Sequence, residues 1–219
     1  MTIKAVIFDM DGVLSDSMPA HATAWQKIFY EIGIHIDLMD VYLLEGSNHS
    51  GIIKIILDRN QRECSEEMIS DLSSQKLKMF NSLYAPAIFD KMKTILSALK
   101  SNGFRLAVAS GSNSSTVHGI INRCFDANTF EVVVTGDDVI NCKPSPDAYL
   151  LAIDKLQLAA SECIVVENAP RGIIAAKRAG SFCIAITTTL DAQYLTCADI
   201  IVEDHRKLYW YLTERLCLK

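Results

Sequence analysis

Apolar residues in this chain follow two rhythms. Short unbroken runs, Ala5-Val6-Ile7-Phe8 first among them, alternate with longer stretches whose apolar positions recur every three or four residues. The runs read as strands buried on both faces, the stretches as helices with one apolar side. A strand over residues 4–8 is followed by a helical pattern that Met18-Pro19 opens and Gly33 closes, with Ala22, Trp25, Ile28, Phe29 and Ile32 on its apolar side. Further helices are expected over Leu38–Leu44, Gly51–Asp58 and Glu66–Tyr84. The last begins behind Ser65, a capping hydroxyl, and carries Glu66 and Glu67 in its first turn. No strand pattern occurs between residues 15 and 86, so this stretch reads as an all-helical insert.

Alternation then resumes. Helix Lys91–Ser101 stops at Asn102-Gly103, and strand Arg105–Ala109, helix Ser114–Asn122, strand Val132–Val134 and helix Asp147–Leu156 follow. Strand Cys163–Val166, helix Pro170–Ala179, strand Phe182–Ile186, a short strand near Ile200 and a helix from His205 complete the series. Strands separated by helices make a parallel sheet covered on both faces, an α/β class.

The 219 residues, half of them apolar, suffice for one domain with an insert. A net charge of −5 leaves no basic stripe for nucleic acid, so no nucleic-acid partner is expected. No run reaches the ~18 apolar residues of a spanning helix, and no basic-then-apolar leader opens the chain, so a cytoplasmic protein without a membrane partner is expected. Seven scattered cysteines without a Cys-x-x-Cys pair read as buried thiols rather than a disulfide framework or a zinc site.

Chemistry gathers where the strands end. Asp9 and Asp11 leave the first strand, and Gly12 lets the backbone turn so that both face one point. Ser110-Gly111-Ser112-Asn113 follows the second strand, Lys143-Pro144 lies on the third crossover, and Glu167-Asn168 ends the fourth strand. Ligands in open α/β sheets bind outside these carboxyl ends. Two acids, a hydroxyl, a cation and an acid–amide pair are the parts needed to hold a phosphoryl group against a divalent ion.

In these motifs and their order the chain resembles the haloacid dehalogenase-like hydrolases. Asp16-Ser17-Met18-Pro19 with His21 and Trp25, and Glu167-Asn168-Ala169-Pro170 with Gly172, are similar to the beta-phosphoglucomutase-like branch. The resemblance implies a Rossmann-like three-layer core over 1–15 and 87–219 and a helical cap over 16–86. It implies Asp9 as nucleophile, forming an aspartyl-phosphate, and Asp11 as the acid that protonates the leaving oxygen and then activates water. Ser110 and the N–H of Gly111 would hold the phosphoryl group, with Ser112 and Asn113 beside them. Lys143 would balance charge, and Asp9, Asp11, Glu167 and Asn168 would bind Mg2+. Relatives often carry Asp where this chain has Asn168, so one negative charge is missing. His49, on the cap loop Glu45–Gly51, and His21 are candidate substrate contacts.

The expected reaction is Mg2+-dependent hydrolysis of a small phosphorylated metabolite, such as a sugar phosphate, by a monomer, with a dimer left open. A phosphomutase is the alternative, disfavoured because no cation stands at position 49 or among Ser112-Asn113-Ser114. A weakly catalytic phosphate-binding protein is the third reading. A dinucleotide site is excluded because acids, not glycines, fill the first turn. Dehalogenase chemistry has no use for Asp11.

Overall fold

The computed structural model describes residues 2–216. Six strands, β1 (Ala5–Phe8), β2 (Arg105–Ala109), β3 (Val132–Val134), β4 (Cys163–Glu167), β5 (Phe182–Ile186) and β6 (Ile200–Val202), form one sheet in the order β3-β2-β1-β4-β5-β6. Every pairing is parallel. The chain winds outward from β1 to β3, then crosses back to β4 and winds the other way. The reversal lies beside β1, where a parallel sheet opens a crevice at its carboxyl edge. Phe8 is in register with Val108 on one side and Val166 on the other, so Asp9, Ala109 and Glu167 leave the sheet at one level.

Alternation along β1 divides the core in two. Val6 and Phe8 face a cluster closed by α5 (Met92–Ser101), α6 (Ser114–Cys124) and α9 (His205–Arg215). Ala5 and Ile7 face a second cluster built with α7 (Asp147–Lys155) and α8 (Pro170–Arg178). A third belongs to α1 (Met18–Glu31), α2 (Leu38–Leu44), α3 (His49–Arg59) and α4 (Glu66–Leu83), where Trp25, Phe29, Ile53, Ile56, Leu57 and Leu72 are buried together. Truncating Trp25 or Phe29 to Ala should cost about 3–5 kcal/mol, as for other large core residues. The helical insert thus carries a core of its own.

Its two connections to the sheet run side by side. The main-chain N–H of Asp16 donates to Ala87 O at 3.1 Å, and Ser15 pairs with Ile88 in an isolated antiparallel bridge. The Ser15 hydroxyl bonds the Tyr84 hydroxyl, tying the end of α4 to the first crossing.

The expected elements are found with small shifts. Helix α3 starts at His49 rather than Gly51, because the Asn48 side chain accepts from the Gly51 N–H at 2.9 Å and moves the cap forward. β4 runs on to Glu167. Two 3-10 turns, Ala160–Glu162 and Ala192–Tyr194, had no signal in the periodicity. The six described cysteines are free, and Cys217 lies outside the described residues. Among the described residues no helix is long and apolar enough to cross a membrane.

Candidate active site

Lys143 is the hub of the carboxyl edge. Its Nζ lies 2.6 Å from Asp9 Oδ1, 2.8 Å from Glu167 Oε1, 3.0 Å from Ala109 O and 2.9 Å from the Tyr149 hydroxyl, and only 1% of the residue is exposed. Burial by itself would strip its proton, but the charges of Asp9 and Glu167 outweigh it and hold the ammonium well above the usual lysine range. Burial also dominates at Asp9, pushing its carboxyl up; Glu167 and Asp11 add like charge, while Lys143 pulls the other way. One ammonium does not satisfy this group of acids.

Glu167 is fully engaged. Oε1 accepts from Lys143 and from the Tyr149 hydroxyl at 2.6 Å, and Oε2 accepts from the N–H groups of Asn168 and Ala169. Expected as a metal ligand, it also holds Lys143 in place. Tyr149 was not singled out in the sequence, being an ordinary apolar position of α7.

Asp11 points toward the helical insert. Its Oδ1 accepts from Ser17 Oγ at 2.5 Å and His21 Nε2 at 3.1 Å, and its Oδ2 from Ser112 Oγ at 2.6 Å. Burial works to raise Asp11, yet His21 and the hydroxyls of Ser112 and Ser17 more than offset it and hold the carboxylate below its usual range. His21 is itself lowered, by burial first and Lys76 second, so near neutral pH it serves as a neutral donor through Nε2–H. Its Nδ1 accepts from Lys76 Nζ at 2.7 Å, and His49 Nε2 lies 3.1 Å from the same Nζ. Burial and the Lys76 charge keep His49 neutral.

Lys76 is the functional candidate that sequence reasoning missed. It is 1% exposed, lies 5.2 Å from the Trp25 ring centroid, and has its ammonium pushed down to about 7 by burial, with Asp11 opposing. Ile69, Leu72, Lys76 and Phe80 share the buried side of α4, so a lysine at a core position of an apolar stripe was the available signal. The cation thought absent from the insert is therefore present, on α4 rather than at position 49.

The phosphate loop is placed unevenly. Gly111 and Ser112 line a cavity of about 40 Å³ with Asp9, Asp11, His49 and Lys76. Ser110 is buried beneath it, its Oγ accepting the Ser112 N–H at 3.0 Å. Asn113, expected beside the substrate, is spent on capping α6: its Oδ1 accepts from Thr116 N–H at 2.9 Å and Ser115 Oγ at 2.8 Å. The cavity is far below the ~300 Å³ of an ordinary small-molecule site. The insert is closed down on the sheet.

The loop that closes it is Glu45-Gly46-Ser47. Gly46 has φ +85°, and a Cβ on Gly111 would stand 2.4 Å from Gly46 O, so only glycine at 111 lets the two backbones meet. Glu45 comes with this loop and is 6% exposed. Burial drives its carboxyl well above the ordinary range, opposed by the Asn168 amide and reinforced by Asp9, Glu167 and Asp11.

Mg2+ would need oxygen donors here. Among the described residues no three His, Cys, Asp or Glu side chains form a ready-made metal cluster. The donors are mixed: the carboxylate of Asp9 and the amide oxygen of Asn168, which is buried without a hydrogen-bond partner. A buried acceptor that meets no donor fits a hard cation, and the residues present suit one.

The comparisons agree with this geometry. The sequence profile of the haloacid dehalogenase-like hydrolases matches residues 3–180, and the chain belongs to that family. Within it, the chain is a phosphoric monoester hydrolase. It is 26% identical over 217 residues to validoxylamine A 7'-phosphate phosphatase of Streptomyces hygroscopicus subsp. limoneus, covering 94% of this chain and 96% of the relative. It is 30% identical over 177 residues to fructose-1-phosphate phosphatase of Escherichia coli (strain K12), covering 80% and 92%. The crystal structure of beta-phosphoglucomutase from Clostridium difficile superposes with a TM-score of 0.87 at 25% identity, covering 99% of this chain and 98% of that one.

Proposed function

We propose that the protein hydrolyses a small sugar-phosphate-like monoester through an aspartyl-phosphate on Asp9, with Mg2+ as cofactor. One observation carries this reading: two carboxylates from one strand end line one cavity while a buried lysine grips the first of them. Asp9 attacks phosphorus, and Lys143 holds its other charge in place. Asp11 gives a proton to the leaving oxygen, and in the second step takes one from the attacking water, so its proton is restored each cycle. In the state seen here Ser17, His21 and Ser112 hold Asp11 as a carboxylate, the form from which the second step starts; the first step starts from the protonated form that the second step leaves behind. Asp9 and Asn168 would hold Mg2+, which would supply positive charge against the phosphoryl oxygens. Lys76, lining the same cavity, suits a second anionic or hydroxyl group of the substrate. We place the core at 1–15 and 87–219 and the cap at 16–86, in a monomer, and the free thiols among the described residues suit a reducing compartment such as the cytoplasm.

Hydrolysis of p-nitrophenyl phosphate tests the reading. Activity should require Mg2+ and vanish with a chelator, and Asp9→Asn should fall below about one-thousandth of wild type with an unchanged circular-dichroism spectrum. Substantial turnover by Asp9→Asn would end the covalent mechanism. The phosphomutase reading gains from Lys76, a cation able to grip a second phosphate. Bisphosphate-stimulated isomerisation of a hexose 1-phosphate would establish it, and its absence alongside phosphate release would retire it.

A further inference from the structure

Two of the buried side-chain oxygens without a hydrogen-bond partner are Glu45 Oε2 and Asn168 Oδ1. They belong to one contact. Asn168 Nδ2 donates to Glu45 Oε1 at 2.9 Å and also to the Thr189 hydroxyl. Glu45 arrives from the end of α2, on the insert, whereas Asn168 sits at the end of β4. Glu45 is 6% exposed, Asn168 is wholly buried, and Glu45 lines the cavity shared by Asp9 and Asp11. Burying an acceptor without a donor is costly, more so for a charged group. Here Asp9, Glu45 and Glu167 have one ammonium among them, and that ammonium already contacts both Asp9 and Glu167. Two orphaned oxygens stand where acids outnumber the ammonium, and a single cation would meet both deficits.

Building on the Mg2+-dependent reading above, we propose that Glu45 is a ligand delivered by the cap to the divalent ion that Asp9 and Asn168 hold. It restores the negative charge that an amide at position 168 leaves out. The full ligand set then exists only when the Glu45-Gly46-Ser47 loop is seated against Gly111, and metal binding and closure favour each other.

A simple latch, in which Glu45 does no more than accept the Asn168 hydrogen bond, makes the opposite forecast for Glu45→Gln. The amide keeps an acceptor for Asn168 but removes the charge. Calorimetric titration of the full-length protein with magnesium chloride should show affinity at least ~10-fold weaker for Glu45→Gln, the size expected when support for a metal site is lost. The exchanged pair, Glu45→Gln with Asn168→Asp, should recover most of that loss, because the carboxylate has only crossed the contact. Gly111→Ala should also weaken Mg2+ binding although residue 111 touches no metal donor. Unchanged or tighter binding by Glu45→Gln, with wild type still binding Mg2+ and hydrolysing phosphate, would overturn the Glu45 assignment and leave the phosphatase reading standing. Wild type that neither binds Mg2+ nor needs it for turnover would overturn both.

Discussion

Lys143 and Lys76 are both buried lysines, yet their protons are held in opposite senses. Lys143 sits between two carboxylates and keeps its proton; Lys76 meets two neutral imidazoles and is pushed down to about 7. A lysine with a depressed pKa binds fewer protons folded than unfolded across the range from about 7 to 10.5, so this group adds stability as pH rises through that window. Its grip on a substrate anion moves the other way, because only the protonated form attracts charge. KM for an anionic sugar phosphate should therefore rise as pH increases past about 7, and Lys76→Met should raise KM and flatten that rise. Steady-state kinetics across pH 6–9 would check it, and an identical KM profile in Lys76→Met would remove Lys76 from substrate binding. The placement of Asp9, Asp11 and Ser110 was legible because each follows a strand end, a local signal, and that of Lys143 because it lies on the crossover after β3. Glu45 and Tyr149 were not legible, since their contacts arise from neighbours 123 and 18 residues away along the chain, respectively. Asn113 shows that a loop amide before a helix reads equally as ligand or cap, and its Oδ1 caps α6.

Elements meet most tightly where the loop after α2 crosses the turn after β2. Gly46 O lies so near the Gly111 α-carbon that a methyl group there has no room. Gly111→Ala should hold the insert off the sheet and lower kcat by about 10- to 100-fold, since misplacement of roughly 1 Å in a catalytic assembly has effects of that size. Small-angle scattering with Mg2+ and fluoroberyllate would report the opening, and a closed, active variant would refute the contact. The helices and strands themselves were readable because period and capping are written locally, as in Ser65, whose hydroxyl accepts from Met68 N–H at 3.1 Å. Strand order was not readable. It depends on which crossover returns past β1, a choice made by packing rather than by period.

At the scale of the whole molecule, the cavity of about 40 Å³ between insert and sheet is too narrow for a sugar phosphate, so turnover requires opening. Amide exchange should be fast at residues 44–48 and 110–112 in the free protein and slow with Mg2+ and fluoroberyllate present, while β1 and β4 stay protected in both. Equal exchange in the two states would mean the insert does not move with the ligand. The three separate apolar clusters make such motion compatible with a stable fold, because the insert keeps its own core as it swings.

Asp16 and Ala87 stand one hydrogen bond apart. A stretch whose ends meet can be cut out and bridged by a short loop at small entropic expense. The helical insert is thus, in its wiring, a removable module, and the sheet beneath it can take another in its place. Glu45 is one of the threads sewn across that seam, beside Ser17 and His21 on Asp11, and on the reading proposed here a graft that omits it would have to bring its own carboxylate.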